Sequence, residues 1–547
     1  MSDKILVKKG TSLLSLLKED EKKKYICAKV DGRLKELSYT FENDTEISSL
    51  EFLNLTDSDA ARIYSTSLTY LIAMAFHSLY PKLQLRFFYN ISRSMFAKVV
   101  DNRSSFKMRP DIVETLREKM LDLVQKDLPF RRIRLSKEEA LEKYKEMNET
   151  DKAKVLRYRN ENFVHLYACG EGDNTYYDYL YGYLVPSTGY LKDFVLRFYA
   201  PGFLIQVPRA ECEGKIPPFE DETKFATALQ STFLWAEKNK LDTVVNINSF
   251  IRNYGALGLI NISEARFNNQ LSELGKDIVS CEDPIRLVCI AGPSSSGKTS
   301  FANRLMYELM SLGLRPLRLS MDDFYIPRDS LPKGTDLESV DALDLPLFNS
   351  TMTRLINGEE APLPVYDFKT KTRSFSKPIS LSEDQIIIME GIHALNARTT
   401  EGIPDYQKYK IYIAPQPQVN IDNHTPISMS DMRLLRRIAR DSRTRDSSAS
   451  ETLSMWPNVR AGEFKYIYPT QENADFVFDS FFPYELSALR NILLPQLDKI
   501  PLEDKNYVFA NRLRSIVKYF VPIPLSDIPC NSLIREFVGG SSFKDAR

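Results

Sequence analysis

Apolar residues recur along this chain with two spacings, one typical of buried strands and the other of helices. Residues 285–291 and 385–391 are apolar, β-prone runs of the kind found in buried strands. Residues 300–309 instead place apolar side chains three and four positions apart, which is the spacing of one helix face. Buried strands that alternate with helices are typical of a parallel α/β sheet. We therefore predict an α/β fold with a parallel sheet for residues 283–500.

The first half of the chain has a less regular pattern, in which short β-prone runs and helical periods are mixed. Residues 162–208 are rich in Tyr, Phe, Val and Gly and predict an antiparallel sheet, whereas residues 222–280 have mostly helical spacing. Ser136 followed by Glu139 predicts a capping box at the start of a helix. The other predicted strands are 4–7, 25–30, 37–41 and 85–89, and the other predicted helices are 60–80 and 110–127. This half is therefore predicted to be α+β.

The length of the chain, 547 residues, is too great for a single hydrophobic core. A prior of roughly 150 residues per domain suggests three or four domains. Changes in the pattern predict units at 1–60 and 61–210, a helical connector at 211–282, the α/β unit at 283–500, and a tail at 501–547 with one helix around 506–519.

Composition and charge restrict the classes of function. The chain has 73 Lys and Arg against 73 Asp and Glu, so net charge gives no support for binding to nucleic acid or to an anionic membrane. The six cysteines lack C-x-x-C spacing, which argues against a zinc site or a disulfide framework and suits a reducing compartment. Residues 1–5 lack a signal-peptide core and no run of 18 apolar residues occurs, so we expect a cytoplasmic protein without membrane association.

Residues 292–299 read GPSSSGKT and fit the phosphate-binding pattern G-x-x-x-x-G-K-[ST]. A predicted strand precedes them and a predicted helix follows, which is the context in which backbone amides and the helix N-terminus can bind phosphate. In this context Lys298 would reach the β- and γ-phosphates of ATP, and the Thr299 hydroxyl would hold Mg²⁺. A chance Gly/Ser turn is the alternative. The predicted nucleotide-binding residues are Gly292, Ser294, Ser295, Ser296, Gly297, Lys298, Thr299 and Ser300.

Two acidic residues stand at the ends of predicted strands, where ligands bind in parallel α/β sheets. Asp322 follows strand 317–321 and can accept the proton of a hydroxyl that attacks the γ-phosphate. Glu390 lies near the end of strand 385–391 and can orient Mg²⁺ through water. The alternatives are a helix-capping role for Asp322 and an edge position without a role for Glu390.

Residues 431–445 predict a basic helix and turn. Arg433, Arg437 and Arg440 recur at three- and four-residue spacing and so share one helix face. Such a face can close over the site as a lid and stabilise the charge on a transferring phosphoryl group. A solvated helix face or a contact with RNA is the alternative.

The order of motifs across residues 285–485 is GPSSSGKTS, DDFY, DALDLPLF, LPVYDFKTKTR, IIIMEGIHAL and DMRLLRRIARDSRTR. This order resembles the uridine kinase family of P-loop kinases, which is kin to phosphoribulokinase. The resemblance implies that Asp322 is the base acting on a ribose 5′-hydroxyl, with Lys298 and Arg437 also catalytic. It implies lid roles for Arg440 and Arg445, and an acceptor pocket formed by Tyr325, Glu338, Tyr366, Lys371 and Arg437.

The acceptor pocket departs from the family pattern at two positions. Glu338 falls where the family has a ribose-binding aspartate, and Lys371 falls where it has a nucleobase-reading histidine. Lysine is a three-donor point charge and cannot accept a hydrogen bond as a neutral imidazole can. The family's ERG turn is replaced by residues 444–446, Thr-Arg-Asp. Tyr366 as a core residue and Lys371 as an exposed loop residue are the structural alternatives.

Two successive segments of the N-terminal half each resemble a known type of protein domain. Residues 1–60 resemble a TGS domain, and residues 61–208 resemble the editing domain of threonyl-tRNA synthetases. The segments that carry this resemblance include SLTYLIAMA from residue 67 and VPSTGYLK from residue 185. The resemblance places the family's editing residues on Thr66, Tyr70, Leu180 and Leu184, none of which is an efficient acid, base or metal ligand at neutral pH. We predict a degenerate editing domain that is not a hydrolase.

Together these features predict a multidomain kinase that uses ATP and Mg²⁺. Its acceptor would be a hydroxyl of a nucleoside resembling uridine or cytidine, or of a similar small metabolite. The alternatives are an RNA- or ribosome-associated ATPase that uses its N-terminal half for recognition, and a regulatory nucleotide-binding protein. Zero net charge disfavours RNA, and an acid at Asp322 has little purpose in a pure binder. An oligomer is compatible with the sequence.

Overall fold

The structure is a computed structural model that describes residues 5–100, 106–159, 161–332, 334–336, 338–367 and 370–544. None of the helices in these ranges is both long and apolar enough to cross a bilayer. All six cysteines are free thiols.

The N-terminal residues form two small antiparallel sheets, one of strands β1 and β4 and one in the order β3-β2-β5. The strand predicted at 37–41 is wrong, because the second strand of the hairpin starts directly after the turn at Asp31 and Gly32. Both turn residues have positive φ, 49° and 75°, as a two-residue hairpin loop requires. The strands are β1 Ile5–Val7, β2 Cys27–Val30, β3 Arg33–Glu36, β4 Thr45–Ile47 and β5 Leu50–Leu53.

The next region packs helices against two further antiparallel sheets, in the orders β10-β9-β8 and β11-β12-β7-β6. The predicted single sheet over 162–208 is therefore divided, because β9 and β10 belong to one sheet with β8, whereas β11 and β12 belong to another with β7 and β6. The elements are α1 Ser58–Leu79, β6 Leu85–Ile91, β7 Ser94–Val99, α2 Pro110–Gln125, β8 Arg131–Ser136, α3 Lys137–Glu146, α4 Thr150–Leu156, β9 Phe163–Cys169, β10 Tyr176–Asp178, β11 Val195–Tyr199 and β12 Gly202–Gln206.

The predicted capping box at the start of α3 is confirmed. The Ser136 hydroxyl accepts from the Glu139 amide at 3.1 Å, and the Glu139 carboxylate accepts from the Ser136 amide at 2.7 Å. Two of the otherwise unpaired amides at the helix start are satisfied in this way. The predicted helical stretch 222–280 is also confirmed, as α5 Thr223–Lys238 and α6 Val244–Val279 with a break at Gly255.

The second half contains a five-stranded sheet in the order β14-β17-β13-β18-β21, and every neighbouring pair is parallel. The predicted α/β class is thus confirmed. The elements are β13 Leu287–Ala291, α7 Lys298–Ser311, β14 Arg315–Ser320, α8 Leu345–Ile356, β15 Pro364–Asp367, β16 Thr372–Phe375, β17 Gln385–Glu390, β18 Lys408–Ala414, β19 Asn420–Asp422, β20 Thr425–Pro426, α9 Met429–Thr444, α10 Ala449–Gly462, β21 Phe476–Asp479 and α11 Glu485–Asp498.

The predicted tail folds back onto this half. It contains α12 Tyr507–Val517, as predicted, and a short helix α13 Arg535–Val538. Leu513 and Phe537 are fully buried in the same hydrophobic cluster as Val288 of the central strand. The tail is therefore continuous with the core of the parallel sheet.

A buried ionic cluster joins the two halves of the chain. The Lys152 ammonium contacts the Asp178 carboxylate and lies 3.8 Å from the Asp422 carboxylate. His424 Nδ1 lies 2.6 Å from the second oxygen of Asp178. Lys152 and Asp178 belong to the first half and the other two residues follow β18, so the cluster ties the halves together.

Lys152→Met is expected to lower the free energy of unfolding by about 3 kcal/mol, because it removes the buried ammonium that neutralises Asp178 and Asp422 and leaves His424 as the remaining partner of Asp178. Lys154 is exposed on the same helix, so Lys154→Met should change stability by no more than about 0.5 kcal/mol. Urea unfolding followed by far-UV circular dichroism measures both. Equal stability of the two variants would contradict the structural role of the cluster.

Candidate active site

The phosphate-binding loop occupies residues 292–297, between the end of β13 and the start of α7. Both of its glycines are required by geometry. A Cβ on Gly292 would collide with the Ile413 carbonyl oxygen, and Gly297 has φ of 89°. The first α7 hydrogen bond runs from Phe301 N to Gly297 O at 2.9 Å, so the amides before Phe301 lack intrahelical acceptors. These amides are the donors that a phosphate needs.

A buried arginine, Arg436, holds the backbone of the phosphate-binding loop. Arg436 is fully buried, pairs with Glu485, and donates from Nη1 to the carbonyls of Ser295 and Ser296 at 3.3 and 3.2 Å. The Ser480 hydroxyl also donates to the Ser296 carbonyl, at 2.7 Å. These contacts hold the loop backbone at Ser295 and Ser296 in one orientation, and the Ser296 amide donates to the Pro293 carbonyl at 3.2 Å within the loop. The basic helix was predicted, but Arg436 was missed because its partners lie far away in sequence.

Four predicted residues meet at the carboxyl ends of β14 and β17. Asp322 follows β14 in a 3₁₀ turn, and Glu390 ends β17 in register with Ser320. The Thr299 hydroxyl lies 3.4 Å from Glu390 Oε1. Lys298 interacts electrostatically with both carboxylates, and its ammonium donates to the Gly292 carbonyl at 2.9 Å. The structure therefore brings the predicted cation, acids and hydroxyl together.

The carboxylates in this cluster have raised pKa values. Burial, together with the nearby Asp322 carboxylate, raises the pKa of Glu390 to about 7, although Lys298 opposes the shift. Desolvation by the surrounding protein likewise raises the pKa of Asp322. Lys298 opposes this shift and Asp323 adds to it. A carboxylate with a raised pKa is a stronger proton acceptor, as a general base requires.

The two adjacent aspartates have different surroundings. The Asp323 carboxylate accepts from the Tyr366 amide at 3.1 Å and so anchors the β15–β16 hairpin. Asp322 instead faces the cleft, where it interacts electrostatically with Tyr325 and Glu338. The tyrosine rings of residues 325 and 366 lie 6.1 Å apart. Of the predicted acceptor residues, Tyr325, Glu338 and Tyr366 therefore lie near one another and near Asp322.

Lys371 lies at the exposed turn between β15 and β16, in the left-handed conformation with φ of 59°. Its amide donates to the Asp367 carbonyl at 2.6 Å, and its own carbonyl accepts from the Arg328 amide. Its side chain is thus placed on the surface of the hairpin. The structure favours the exposed-loop interpretation of Lys371.

The basic helix α9 is mostly buried, so its interpretation as a solvated face is wrong. Arg433 is fully buried and pairs with Glu463. Arg437 donates from Nη1 to the Ser294 hydroxyl in the phosphate-binding loop, at 3.1 Å. Of the predicted lid arginines, this one therefore reaches the loop.

Asp441, which sequence reasoning missed, orients the predicted lid. Its fully buried carboxylate accepts from Arg437 at 3.1 Å and from Arg440 at 2.9 Å, and it lies 3.6 Å from Arg445. Three arginines that share one acid are held as a group near the loop. The acid follows Arg440 directly in the sequence, but its burial could not be deduced from the pattern.

The residues fit ATP and Mg²⁺. The Ser295 and Ser296 hydroxyls are buried and have no hydrogen-bond partner among the residues that the structure describes, so the loop retains polar atoms available to a phosphate. No group of three or more His, Cys, Asp or Glu suited to a metal occurs within the described residues. Mg²⁺ does not need such a group, because it uses one or two carboxylates together with phosphates and water. Thr299 and Glu390 supply that kind of partial site.

Comparison with known proteins agrees with this geometry. A family model described as the phosphoribulokinase / uridine kinase family matches residues 287–485. Uridine kinase from Lactobacillus johnsonii is 30% identical over 196 residues, which cover 35% of this chain and 84% of that protein. This chain belongs to that family. Uridine kinase from Staphylococcus haemolyticus is also 30% identical over 196 residues, covering 35% of this chain and 86% of that protein.

Membership of the family makes the protein an ATP-dependent phosphotransferase that acts on a small metabolite. Among solved structures, one from Bacillus stearothermophilus described as a possible uridine kinase is 25% identical. The alignment with this structure has a TM-score of 0.24 and covers 27% of the present chain and 80% of the chain in that structure. The matched relatives span about a third of this chain, so the N-terminal half lies outside them.

Proposed function

We propose that this protein transfers the γ-phosphate of ATP to a hydroxyl group of a nucleoside or a closely similar metabolite. The observation that carries the proposal is the position of Asp322. Its carboxylate follows β14 and interacts electrostatically with both Lys298 and Tyr325. A base between a phosphate-binding cation and an aromatic acceptor pocket suits in-line transfer to a bound hydroxyl.

Each residue of the site has a role in this proposal. Asp322 accepts the proton of the attacking hydroxyl, and Lys298 with the loop amides orients the phosphates. Arg437, held by Asp441, adds positive charge beside the loop, where negative charge develops during transfer. Thr299 and Glu390 would hold Mg²⁺, which when bound neutralises phosphate charge. Arg440 and Arg445 would support the lid through Asp441.

We propose that the acceptor's ring packs against Tyr325 and Tyr366, whose ring centroids lie 6.1 Å apart. The Glu338 carboxylate interacts electrostatically with Tyr325. The Glu338 backbone carbonyl is 2.9 Å from His393 Nε2, and this contact holds the backbone at Glu338 in place. A nucleobase against the tyrosines would leave ribose hydroxyls near Glu338 and Asp322. This arrangement favours a nucleoside over a sugar without a base.

Tyr366→Ala is expected to raise the KM for the nucleoside about tenfold and to leave the KM for ATP unchanged, because stacking on one base contributes about 1–3 kcal/mol. Tyr406 is exposed outside the cleft, so Tyr406→Ala is the matched control. Steady-state kinetics with each substrate varied in turn separates the two constants. Equal changes in both KM values would contradict a role for Tyr366 in acceptor binding.

A panel of acceptors tests the proposal as a whole. ATP consumption is measured with uridine, cytidine, adenosine, guanosine, ribose and glycerate, and products are identified by mass. The expected result is one or more nucleoside monophosphates. ATP hydrolysis at the same rate with every acceptor and with none would instead favour the RNA- or ribosome-associated ATPase.

We also propose that residues 1–60 form a TGS-like module and that residues 61–210 form a degenerate editing-like module that is not a hydrolase. Tyr70 is buried, and its hydroxyl donates to backbone carbonyls at 2.6 and 3.0 Å, so it is engaged in the core. Leu180 and Leu184 are buried as well. These positions supply no general base or metal ligand. Release of the amino acid from aminoacyl-tRNA by this protein would contradict the proposal.

A further inference from the structure

The C-terminal segment 529–544, which we term the C-terminal strap, lies against the phosphate-binding loop. Leu533 packs on Gly297, where an added Cβ would lie 2.6 Å from a Leu533 methyl carbon. The Ser532 hydroxyl hydrogen-bonds with Tyr484 at 3.1 Å. The strap therefore covers the turn at which the loop enters α7.

One side chain of the strap, Glu536, accepts hydrogen bonds from the first turn of α7, directly after the phosphate-binding loop. The half-buried Glu536 carboxylate accepts from the Ser300 amide at 3.3 Å and from the Ser300 hydroxyl at 2.8 Å. Ser300 is the third residue of α7, so its amide is among those left free by helix geometry. A carboxylate at this place uses a donor and a dipole end suited to phosphate.

The strap is held by the same helix that carries the lid. The Arg443 guanidinium donates to the Glu536 carbonyl at 2.9 Å, and the Arg436 guanidinium lies 4.8 Å from the centre of the Phe537 ring. Arg436 also binds the loop carbonyls, as described above. The strap, the loop and α9 are thus linked through two arginines.

We propose that the C-terminal strap is an autoinhibitory element, in which Glu536 competes with a phosphate group of ATP for the start of α7. ATP binding then requires the Glu536 carboxylate to leave Ser300, because two anions cannot share one amide. Only molecules in which the strap is released can then bind ATP. The apparent affinity for ATP is therefore the intrinsic affinity multiplied by the fraction of molecules in the released state. The inference rests on ATP binding at the loop and not on the identity of the acceptor.

Binding of a non-hydrolysable ATP analogue to the full chain, measured by calorimetry with Mg²⁺, tests the inference. Glu536→Ala should bind the analogue about tenfold more tightly than the natural sequence, and Glu536→Gln, which loses only the charge, by a smaller factor. Glu503 is exposed in the same C-terminal region and contacts Arg33, so Glu503→Gln should leave the affinity unchanged. Lys298→Met, introduced into the natural sequence and into each Glu536 variant, should weaken binding if the analogue binds at the phosphate-binding loop.

Hydrogen exchange gives a second readout that does not depend on a variant. Saturation with the analogue should increase exchange in residues 532–539 of the natural chain while protecting the loop. Equal or weaker binding by Glu536→Ala would overturn the proposal, as would stronger protection of the strap when the analogue binds. Stronger protection would instead make the strap a wall of the ATP site. Absence of analogue binding in both proteins would also overturn it, since release of the competitor should reveal the site.

Discussion

Asp322→Asn is expected to lower kcat for phosphoryl transfer by about 10²–10⁴-fold, the usual contribution of a positioned general base. An asparagine amide keeps the size of the side chain but cannot take the proton of the attacking hydroxyl. Binding of ATP should persist, because Lys298 and the loop amides are unchanged. Rapid-quench measurement of product formation at saturating ATP, alongside equilibrium ATP binding, separates chemistry from binding.

Asp323→Asn is the matched control for this prediction. Asp323 adjoins Asp322, but its Oδ1 accepts from the Tyr366 amide, and asparagine retains an oxygen able to do so. Most of the activity should therefore remain. A similar loss in both variants would assign the effect to the geometry of the β15–β16 hairpin and contradict the role of Asp322 as the base.

Lys298→Met is expected to lower kcat/KM for ATP by at least about 10²–10³-fold, because it removes a cation aimed at the charge of the transferring group. The methionine has a similar length and no donor. The loss should appear in ATP binding as well as in turnover, in contrast to Asp322→Asn. Equilibrium binding of ATP and initial rates over a range of ATP concentrations measure the two effects.

Lys377→Met is the matched control, since Lys377 is exposed beyond β16. It should retain the kinetics of the natural chain. Retention of ATP binding by Lys298→Met would show that the nucleotide binds elsewhere, which the proposed site does not allow.

Local patterns were enough to predict which residues meet at the carboxyl edge of the parallel sheet. The loop at 292–299 and Asp322 each follow a strand, and strand ends in a parallel sheet meet at one edge. The capping box of α3 is likewise a four-residue pattern, and it forms as expected. Glu390 likewise stands at the carboxyl end of a strand of the parallel sheet, as its position in the predicted strand 385–391 indicated.

Long-range contacts could not be predicted in the same way. Arg436 binds loop carbonyls about 140 positions earlier, and Glu536 binds Ser300 236 positions earlier. The division of the sheet predicted over 162–208 depends on pairing with β7 and β8, which periodicity within a strand does not specify. The misplaced strand at 37–41 has a local cause, because the turn at Asp31 and Gly32 is tighter than assumed.

Transfer of the labelled γ-phosphate of ATP is the most direct test of the account. The natural chain and Asp322→Asn are incubated with γ-³²P-ATP, Mg²⁺ and a mixture of nucleosides, and the products are separated. We predict that label passes to a nucleoside monophosphate with the natural chain and that this product is reduced by about 10²-fold or more with Asp322→Asn. Release of label only as inorganic phosphate, at equal rates from both proteins, would contradict the account.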